Sequence, residues 1–252
     1  EDHIALALSG GKDSVSLLHI LKKIENKFPR ATLSAITIDG HRHAGRGGAG
    51  AVMSSKNLKA IAINGSKKIP IYDLNGFTNK TKDVTKQVKE NDFVPKRRKY
   101  GTPYWVKYIN EEGFIPTRNY QEGNFKYANE INASTMQERI VDRGGSCFNC
   151  IIACWNQSSI KSGSFKGVSL IGPEYETIAL MGSNLGMKSI EDVAYLNERC
   201  NELGMDTISL GGVLGFAVEA YEKGIISKFD LNNIDIGWGK AVEIGKLIHD
   251  IA

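Results

Sequence analysis

Three cysteines crowd into eight residues, as Cys147-x2-Cys150-x3-Cys154. That spacing lets one short segment turn thiolates toward three corners of a metal cluster, and soft sulfur ligands select iron-sulfur clusters or zinc. Structural zinc would want a second CxxC or a His pair at matched spacing, and none follows. Gly144, Gly145 and Ser146 just before the cluster leave the segment short of core character. Iron-sulfur ligation is therefore the expected chemistry. By spacing alone, Cys200 is the fourth ligand. Two glycine loops add anion-binding capacity. Ser9-Gly10-Gly11-Lys12-Asp13-Ser14 offers backbone amides and a lysine between a predicted strand and a predicted helix. Gly45-Arg46-Gly47-Gly48-Ala49-Gly50 does the same with an arginine, after His41, Arg42 and His43.

The elements that must position these groups read as follows. His3 to Leu8 is a short apolar strand; Val15, Leu17, Leu18, Leu21 and Ile24 have helical spacing before Pro29; Thr32 to Ile38 is β-branched. Together they make one βαβ unit with parallel pairing. Leu58 to Ile63 reads as a strand and Asp73 to Glu90 as an exposed amphipathic helix. Residues 91 to 130, rich in Gly, Pro, Asn and aromatics, read as irregular connection. The remainder reads as helical: Ser134 to Val141, Glu174 to Leu185, Ser189 to Leu203, Thr207 to Lys223 and Lys240 to Ile251. The cysteines fall on a turn or a helix start. Ser189 with Asp192 forms a capping box, and Gly224 is a C-terminal stop. The predicted class is mixed: a short N-terminal βαβ unit (1–40), a short strand region (41–70), and a mainly α-helical domain (71–252).

Composition limits the classes. The chain has 252 residues with 32 Lys plus Arg against 28 Asp plus Glu, a formal charge of +4 that is too weak to argue for nucleic acid. With 41% hydrophobic and 24% charged residues it reads as globular. No apolar run approaches the ~18 residues of a membrane span, and the Glu1-Asp2-His3 start lacks a secretory pattern. Cysteines clustered in a chain of this kind predict cytoplasmic metal chemistry over a disulfide framework.

Two resemblances sharpen the reading. SGGKDS resembles the signature of the ATP pyrophosphatase (PP-loop) family over residues 3 to 39, where Ser9, Gly10, Gly11, Asp13 and Ser14 would meet nucleotide phosphates. The stretch Gly45 to Ile61, Pro116-Thr117-Arg118-Asn119-Tyr120-Gln121-Glu122-Gly123, the cysteine cluster, Gly172-Pro173-Glu174-Tyr175-Glu176-Thr177 with Gly182-Ser183-Asn184, and Cys200 to Ser209 together resemble the aldehyde ferredoxin oxidoreductase family, in the expected order over residues 41 to 252. That second resemblance implies a tungsten or molybdenum bis-pyranopterin, contacted by Arg46, Gly47, Gly48, Asn201 and Asp206, with magnesium compatible at the pterin phosphates. It implies a 4Fe-4S cluster on Cys147, Cys150 and Cys154, and Glu176 near the metal for proton handling. The implied reaction is aldehyde plus water to carboxylic acid, with electrons passed to ferredoxin. Physically, Glu176 beside Tyr175, Ile178 and Leu180 would favour holding a proton; an N-terminal helix acid is the plain alternative. Asp206 reads equally as a helix N-cap.

The resemblance also carries departures. The family pattern has a carboxylate where this chain has Asn201. Its fourth cluster ligand comes from later in the chain than Ala252, so Cys200 is not the ligating position. Its opening region is taken as replaced by the SGGKDS unit, which leaves a homo-oligomer or a completing chain as a way to finish the site. The competing readings are a PP-loop ATP-dependent sulfur transferase of the tRNA-thiolating kind and a non-catalytic fused or truncated product. Lys96-Arg97-Arg98-Lys99 reads as a solvated loop with some capacity to steer an acidic ferredoxin.

Overall fold

The structure, a computed structural model, describes residues 33–38, 42–65 and 68–252. The expected strand His3 to Leu8, the helix that follows it, and the SGGKDS residues Ser9, Gly10, Gly11, Asp13 and Ser14 lie outside the described residues, and so does the parallel pairing of that strand.

Within the described part, β1 (Ile36–Ile38) pairs antiparallel with β2 (Arg42–Ala44), Ile36 opposite Ala44 and Ile38 opposite Arg42. A tight 3-10 turn Arg46–Gly48 leads into α1 (Ala49–Ser55). The apolar run Leu58 to Ile63, expected as a strand, is irregular. A strand needs a ladder partner, and none pairs with it among the described residues; Ile63 is left 85% exposed.

Helix α2 (Leu74–Glu90) forms as expected, capped by Asp73 Oδ1, which accepts from Gly76 N at 2.8 Å. Residues 91–130 are not merely connection. They hold α3 (Phe93–Tyr100), α4 (Trp105–Glu111) and most of α5 (Ala128–Ile131). The aromatics that suggested irregularity pack edge to face across the α3–α4 corner, Phe93 against Tyr104 at 5.4 Å and Tyr104 against Trp105 at 5.5 Å.

Helix α6 (Ala133–Arg139) precedes a three-stranded antiparallel sheet absent from the sequence expectation: β3 (Val141–Gly145), β4 (Trp155–Ser159) and β5 (Ser169–Ile171), in the order β3-β4-β5. The expected helix Glu174 to Leu185 is a composite. One α-turn, α7 (Tyr175–Thr177), is followed by a π turn Ile178–Gly182 and a 3-10 turn Ser183–Leu185.

The three long C-terminal helices follow the sequence closely: α8 (Ile190–Leu203), α9 (Thr207–Glu222) and α10 (Ala241–Ile251). Ile190, Val193, Ala194, Asn197 and Cys200 line one stripe of α8 at i, i+3, i+4, i+7 and i+10, and all are buried. Ile244, Leu247 and Ile248 of α10 and Leu210, Leu214 and Val218 of α9 join the same core. Ser189 Oγ caps α8 by accepting from Asp192 N at 3.1 Å. Apolar burial of this kind stabilises by roughly 25 cal/mol per Å², so the α8–α9–α10 core is the platform on which the irregular segments are seated. No helix among the described residues is long and apolar enough to cross a membrane.

Candidate functional site

The cysteines sit on the connection between β3 and β4. Cys147 lies two residues beyond β3 and Cys154 immediately precedes β4, so the sheet register fixes both ends of the loop. Its base is pinned at the pair Gly145–Trp155. A Cβ on Gly145 would fall 2.2 Å from the Trp155 ring, so only glycine lets the indole cross the strand there. Inside the loop, Cys150 N donates to Cys147 O at 3.0 Å, and Asn149 and Ala153 take left-handed backbone (φ 54 and 57). Cys147 is exposed, while Cys150 and Cys154 are partly covered. The backbone amides of Ala153 and Ile152 donate to the Cys150 sulfur and hold its thiol below the ordinary value. Cys200 differs in kind. It is fully buried in the α8 stripe, and burial pushes its thiol up, so it is a core residue.

No three His, Cys, Asp or Glu side chains converge as around a single metal ion among the described residues. A four-iron cube takes one thiolate per iron, so its ligands stand apart rather than meet at a point. Three thiols on one short loop are the soft donor set that such a cluster takes, and hydrogen bonds to ligand sulfur suit its negative charge.

The glycine loop is seated by backbone contacts to the start of α9. Asp206 N donates to Leu33 O at 3.0 Å and Ala35 N to Gly204 O at 2.7 Å, which lays residues 33–35 along 204–206. The loop packs on that pair of segments. A Cβ on Gly50 would meet Ser34 O at 2.3 Å, and one on Gly45 would meet Asp206 Oδ1 at 2.5 Å. Gly47 (φ 83) and Gly48 (φ 74) have the left-handed backbone that favours glycine, and nothing lies within 4 Å of the Cβ positions they lack. Arg46, just before them, is exposed, with no acidic partner among the described residues. Open backbone, an exposed guanidinium and a neighbouring carboxylate fit a phosphate-bearing pterin, which needs amide and cation donors on one side and a ring-nitrogen partner on the other.

Asp206 does act as the N-cap of α9, its Oδ2 accepting from Ser209 N at 2.7 Å. The cap uses Oδ2, and Oδ1 is the atom facing the glycine loop. Asn201 turns to its own helix, donating to Glu198 Oε2 at 3.1 Å. Glu176 stands exposed on α7, without the apolar enclosure expected from its neighbours. Its neighbour Tyr175 is the shielded group: burial, with Glu176 and Tyr120 alongside, pushes that phenol up to about 12.

What joins the cysteine loop to the other segments is an arginine that motif spacing did not single out. Arg42 of β2 donates from Nη2 to Cys147 Sγ at 3.3 Å, and its Nη1 pairs with Glu174 Oε1 at 3.6 Å. Glu174 is held in turn by the Thr102 hydroxyl, and Thr102 Oγ1 accepts from Tyr175 N at 2.8 Å. A continuous polar chain thus runs from a cysteine sulfur to the first turn of α7. The stretch Arg118–Tyr120 is a second feature missed. Three consecutive residues have positive φ (46, 53 and 61), anchored by Arg118 N to Ser183 O at 3.2 Å and Asn119 N to Asn184 O at 3.1 Å. The quoted motif Pro116 to Gly123 contained those residues, but nothing in its composition announced the backbone. Arg42 was visible only as one of three potential cations near the glycine loop.

Comparison with known proteins identifies the family. The family model for aldehyde ferredoxin oxidoreductase, domains 2 and 3, matches residues 79–252, and that for its N-terminal domain matches residues 5–65. The tungsten-containing aldehyde ferredoxin oxidoreductase of Thermococcus kodakarensis is 40% identical over 222 residues, covering 87% of this chain and 36% of the relative. That of Pyrococcus furiosus is 40% identical over 245 residues, 96% of this chain and 39% of its own length. An aliphatic sulfonate oxidoreductase, WOR-like subunit, from Pyrococcus furiosus is 34% identical over 246 residues, 96% of this chain and 38% of the relative. The chain thus spans well under half the length of these relatives. Among solved structures, the active-site complex BamBC of benzoyl coenzyme A reductase shares the fold with a TM-score of 0.66 at 20% identity, over 94% of this chain and 38% of that one.

The N-terminal match corrects one expectation. It begins at residue 5 and runs through Ser9 to Ser14, so the opening segment is not a replacement for the family's own, and the PP-loop resemblance has no support. With the cysteine loop, the glycine loop and the α7 motif all inside matched regions, the chain belongs to the aldehyde ferredoxin oxidoreductase family.

Proposed function

We propose that this chain carries the cluster-binding part and one flank of the pterin site of an aldehyde oxidoreductase. Cys147, Cys150 and Cys154 hold a 4Fe-4S cluster. Arg46 with the backbone of Gly47 and Gly48 receives the phosphates of a tungsten or molybdenum bis-pyranopterin, with a magnesium ion at those phosphates, and Asp206 Oδ1 contacts a pterin ring. When bound, the metal-pterin group supplies two-electron oxidation of an aldehyde and water to a carboxylic acid, with release of two protons. A cluster held by the three cysteines would supply electron transfer to ferredoxin.

The residues of this chain do the positioning and the proton work. Arg42 offsets the negative charge of the Cys147 ligand while its other arm fixes Glu174, which orders α7. Glu176, two residues further on and open to water, accepts a proton released in the oxidation and passes it to solvent. Asn201, turned to Glu198, leaves Asp206 as the carboxylate on that side of the pterin.

The observation that carries this reading is the Arg42 bridge, because it brings the cysteine loop, the strand leading to the glycine loop and the α7 motif to one place. The test is anaerobic reconstitution with iron and sulfide, followed by iron stoichiometry and the visible absorption of the cluster. Cys150→Ser loses the cluster, whereas Cys200→Ala keeps it. Iron retained in Cys150→Ser and lost in Cys200→Ala overturns the assignment.

A further inference from the structure

The basic run Lys96 to Lys99 is helical, and one of its members leaves the helix surface to grip the cysteine loop. Arg98 donates from Nη2 to Ile151 O at 2.9 Å and from Nε to Ile152 O at 3.2 Å. The contact reaches across 53 and 54 residues of sequence, so it is made by the fold and not by local helix geometry.

The two carbonyls have a specific place in the loop. Ile151 C=O belongs to the same peptide unit as Ile152 N–H, and Ile152 C=O to the same unit as Ala153 N–H. A trans peptide is planar and sets its C=O and N–H on opposite edges. Both peptide units lie in the short span that joins Cys150 to Cys154. The guanidinium therefore holds the C=O edges of both peptide planes and leaves their N–H edges on the opposite side. Ala153 sits at φ 57, a backbone region that a residue with a Cβ avoids, so the loop needs a restraint from outside to keep this shape. An exposed arginine with no such role would be solvated; two donors of one fork on two successive carbonyls is the geometry that Arg provides and Lys does not.

We propose that Arg98 is a positioning residue for the cluster: by clamping the Ile151–Ile152 and Ile152–Ala153 peptides it fixes the span between the Cys150 and Cys154 ligands and the direction of its amides, and so sets the redox poise of the cluster. The redox consequence rests on the cluster reading above, whereas the clamp itself belongs to the metal-free loop as well. Hydrogen bonds to ligand sulfur favour the more negative, reduced cluster and raise its potential, so loosening the clamp moves the potential down.

The experiment compares wild type, Arg98→Ala, Arg98→Lys and Lys96→Ala. Hydrogen exchange of the Ile152 and Ala153 amides is followed in the metal-free protein, and the midpoint potential by EPR-monitored titration after reconstitution. Arg98→Ala is expected to speed exchange at those two amides about tenfold. It also shifts the one-electron equilibrium toward the oxidised cluster by a similar factor, ~59 mV. Arg98→Lys keeps the charge but not the fork, and is expected to follow Arg98→Ala; Lys96→Ala removes a charge from the same helix and leaves both readouts at wild-type values. Unchanged exchange and potential in Arg98→Ala, or full rescue by Arg98→Lys, overturns the proposal. If wild type takes up no iron, the cluster reading fails, and the exchange of the two amides still decides the clamp.

Discussion

Two adjacent glycines in α9 give opposite answers to the same substitution. A Cβ at Gly211 would lie 2.7 Å from both Leu180 Cβ and Leu180 O and 2.9 Å from the Leu180 carbonyl carbon, whereas at Gly212 nothing lies within 4 Å. Replacing glycine by alanine inside a helix gains about 0.5–1 kcal/mol through backbone entropy and propensity. At Gly212 that gain stands alone, and Gly212→Ala is expected to be stabilising by about that amount. At Gly211 the same gain is opposed by overpacking. The atoms met are backbone and Cβ, which cannot swing aside, so α9 must move away from the π turn Ile178–Gly182. Overpacking of this kind costs about 1–3 kcal/mol, and with fixed partners at 2.7 Å the upper half of that range applies. Gly211→Ala therefore comes out net destabilising by roughly 1–2 kcal/mol. In a chain of this size each kcal/mol moves Tm by about 2–4 °C. Calorimetry of the two variants beside wild type should place them on opposite sides of it, at least ~3 °C apart. The π turn continues from α7, so Gly211→Ala also displaces Glu176 and, on the proposed function, lowers aldehyde-dependent dye reduction by more than the stability loss explains. Gly212→Ala leaves that rate unchanged. A Gly211→Ala variant as stable as wild type would refute the close α9–Leu180 approach on which the placement of α7 depends.

Asp206 separates fold from cofactor. Asn caps a helix as well as Asp does, so Asp206→Asn keeps the bond to Ser209 N and the melting temperature, whereas Asp206→Ala costs about 1 kcal/mol; pterin content measured by mass spectrometry falls in both variants if Oδ1 contacts the ring. Tyr175 predicts an alkaline limit. Its phenol is pushed from 10.0 to about 12 in the folded chain, so above pH 10 the unfolded chain releases that proton first and stability declines as pH rises from 10 towards 12. Denaturant unfolding across that window should show the decline in wild type and lose it in Tyr175→Phe; an equal decline in both would assign it to other groups.

The elements that sequence reasoning recovered are those specified locally. α8, α9 and α10 carry an apolar stripe at helical spacing, and Ser189 and Asp206 mark two of their starts. The β3-β4-β5 sheet was invisible for a definite reason. Strand β4 buries Asn156 and Ser158, two of its four polar residues, rather than an apolar alternation. Those groups are satisfied from outside the strand: Gln137 Nε2 donates to Asn156 Oδ1 at 3.2 Å and Ser158 Oγ donates to Gly172 O at 2.6 Å. A strand whose inward face is polar has no period-2 hydrophobic signal to read. The converse error was Leu58 to Ile63, where β-branched alternation was present and a pairing partner was not.

The same division runs through the site. Each candidate donor set that fits in one segment was readable from residue type: the thiols from their spacing, the glycine loop from its lack of side chains beside an arginine. The connections between segments were not, because they are made by single long side chains across large separations, Arg42 to Cys147 over 105 residues and Arg98 to Ile151 over 53. Arginine suits both positions for the same reason. A cluster held by thiolates is an excess of negative charge on an irregular loop with exposed carbonyls, and a guanidinium is always charged, planar, and able to donate in two directions at once. At Arg42 the two directions are a sulfur and a carboxylate, which couples the cysteine loop to α7; at Arg98 they are two carbonyls, which shapes the loop itself. Sequence shows a basic residue in either place. Only the fold decides that the first acts as a bridge and the second as a clamp, because that distinction lies entirely in which acceptors each fork can reach.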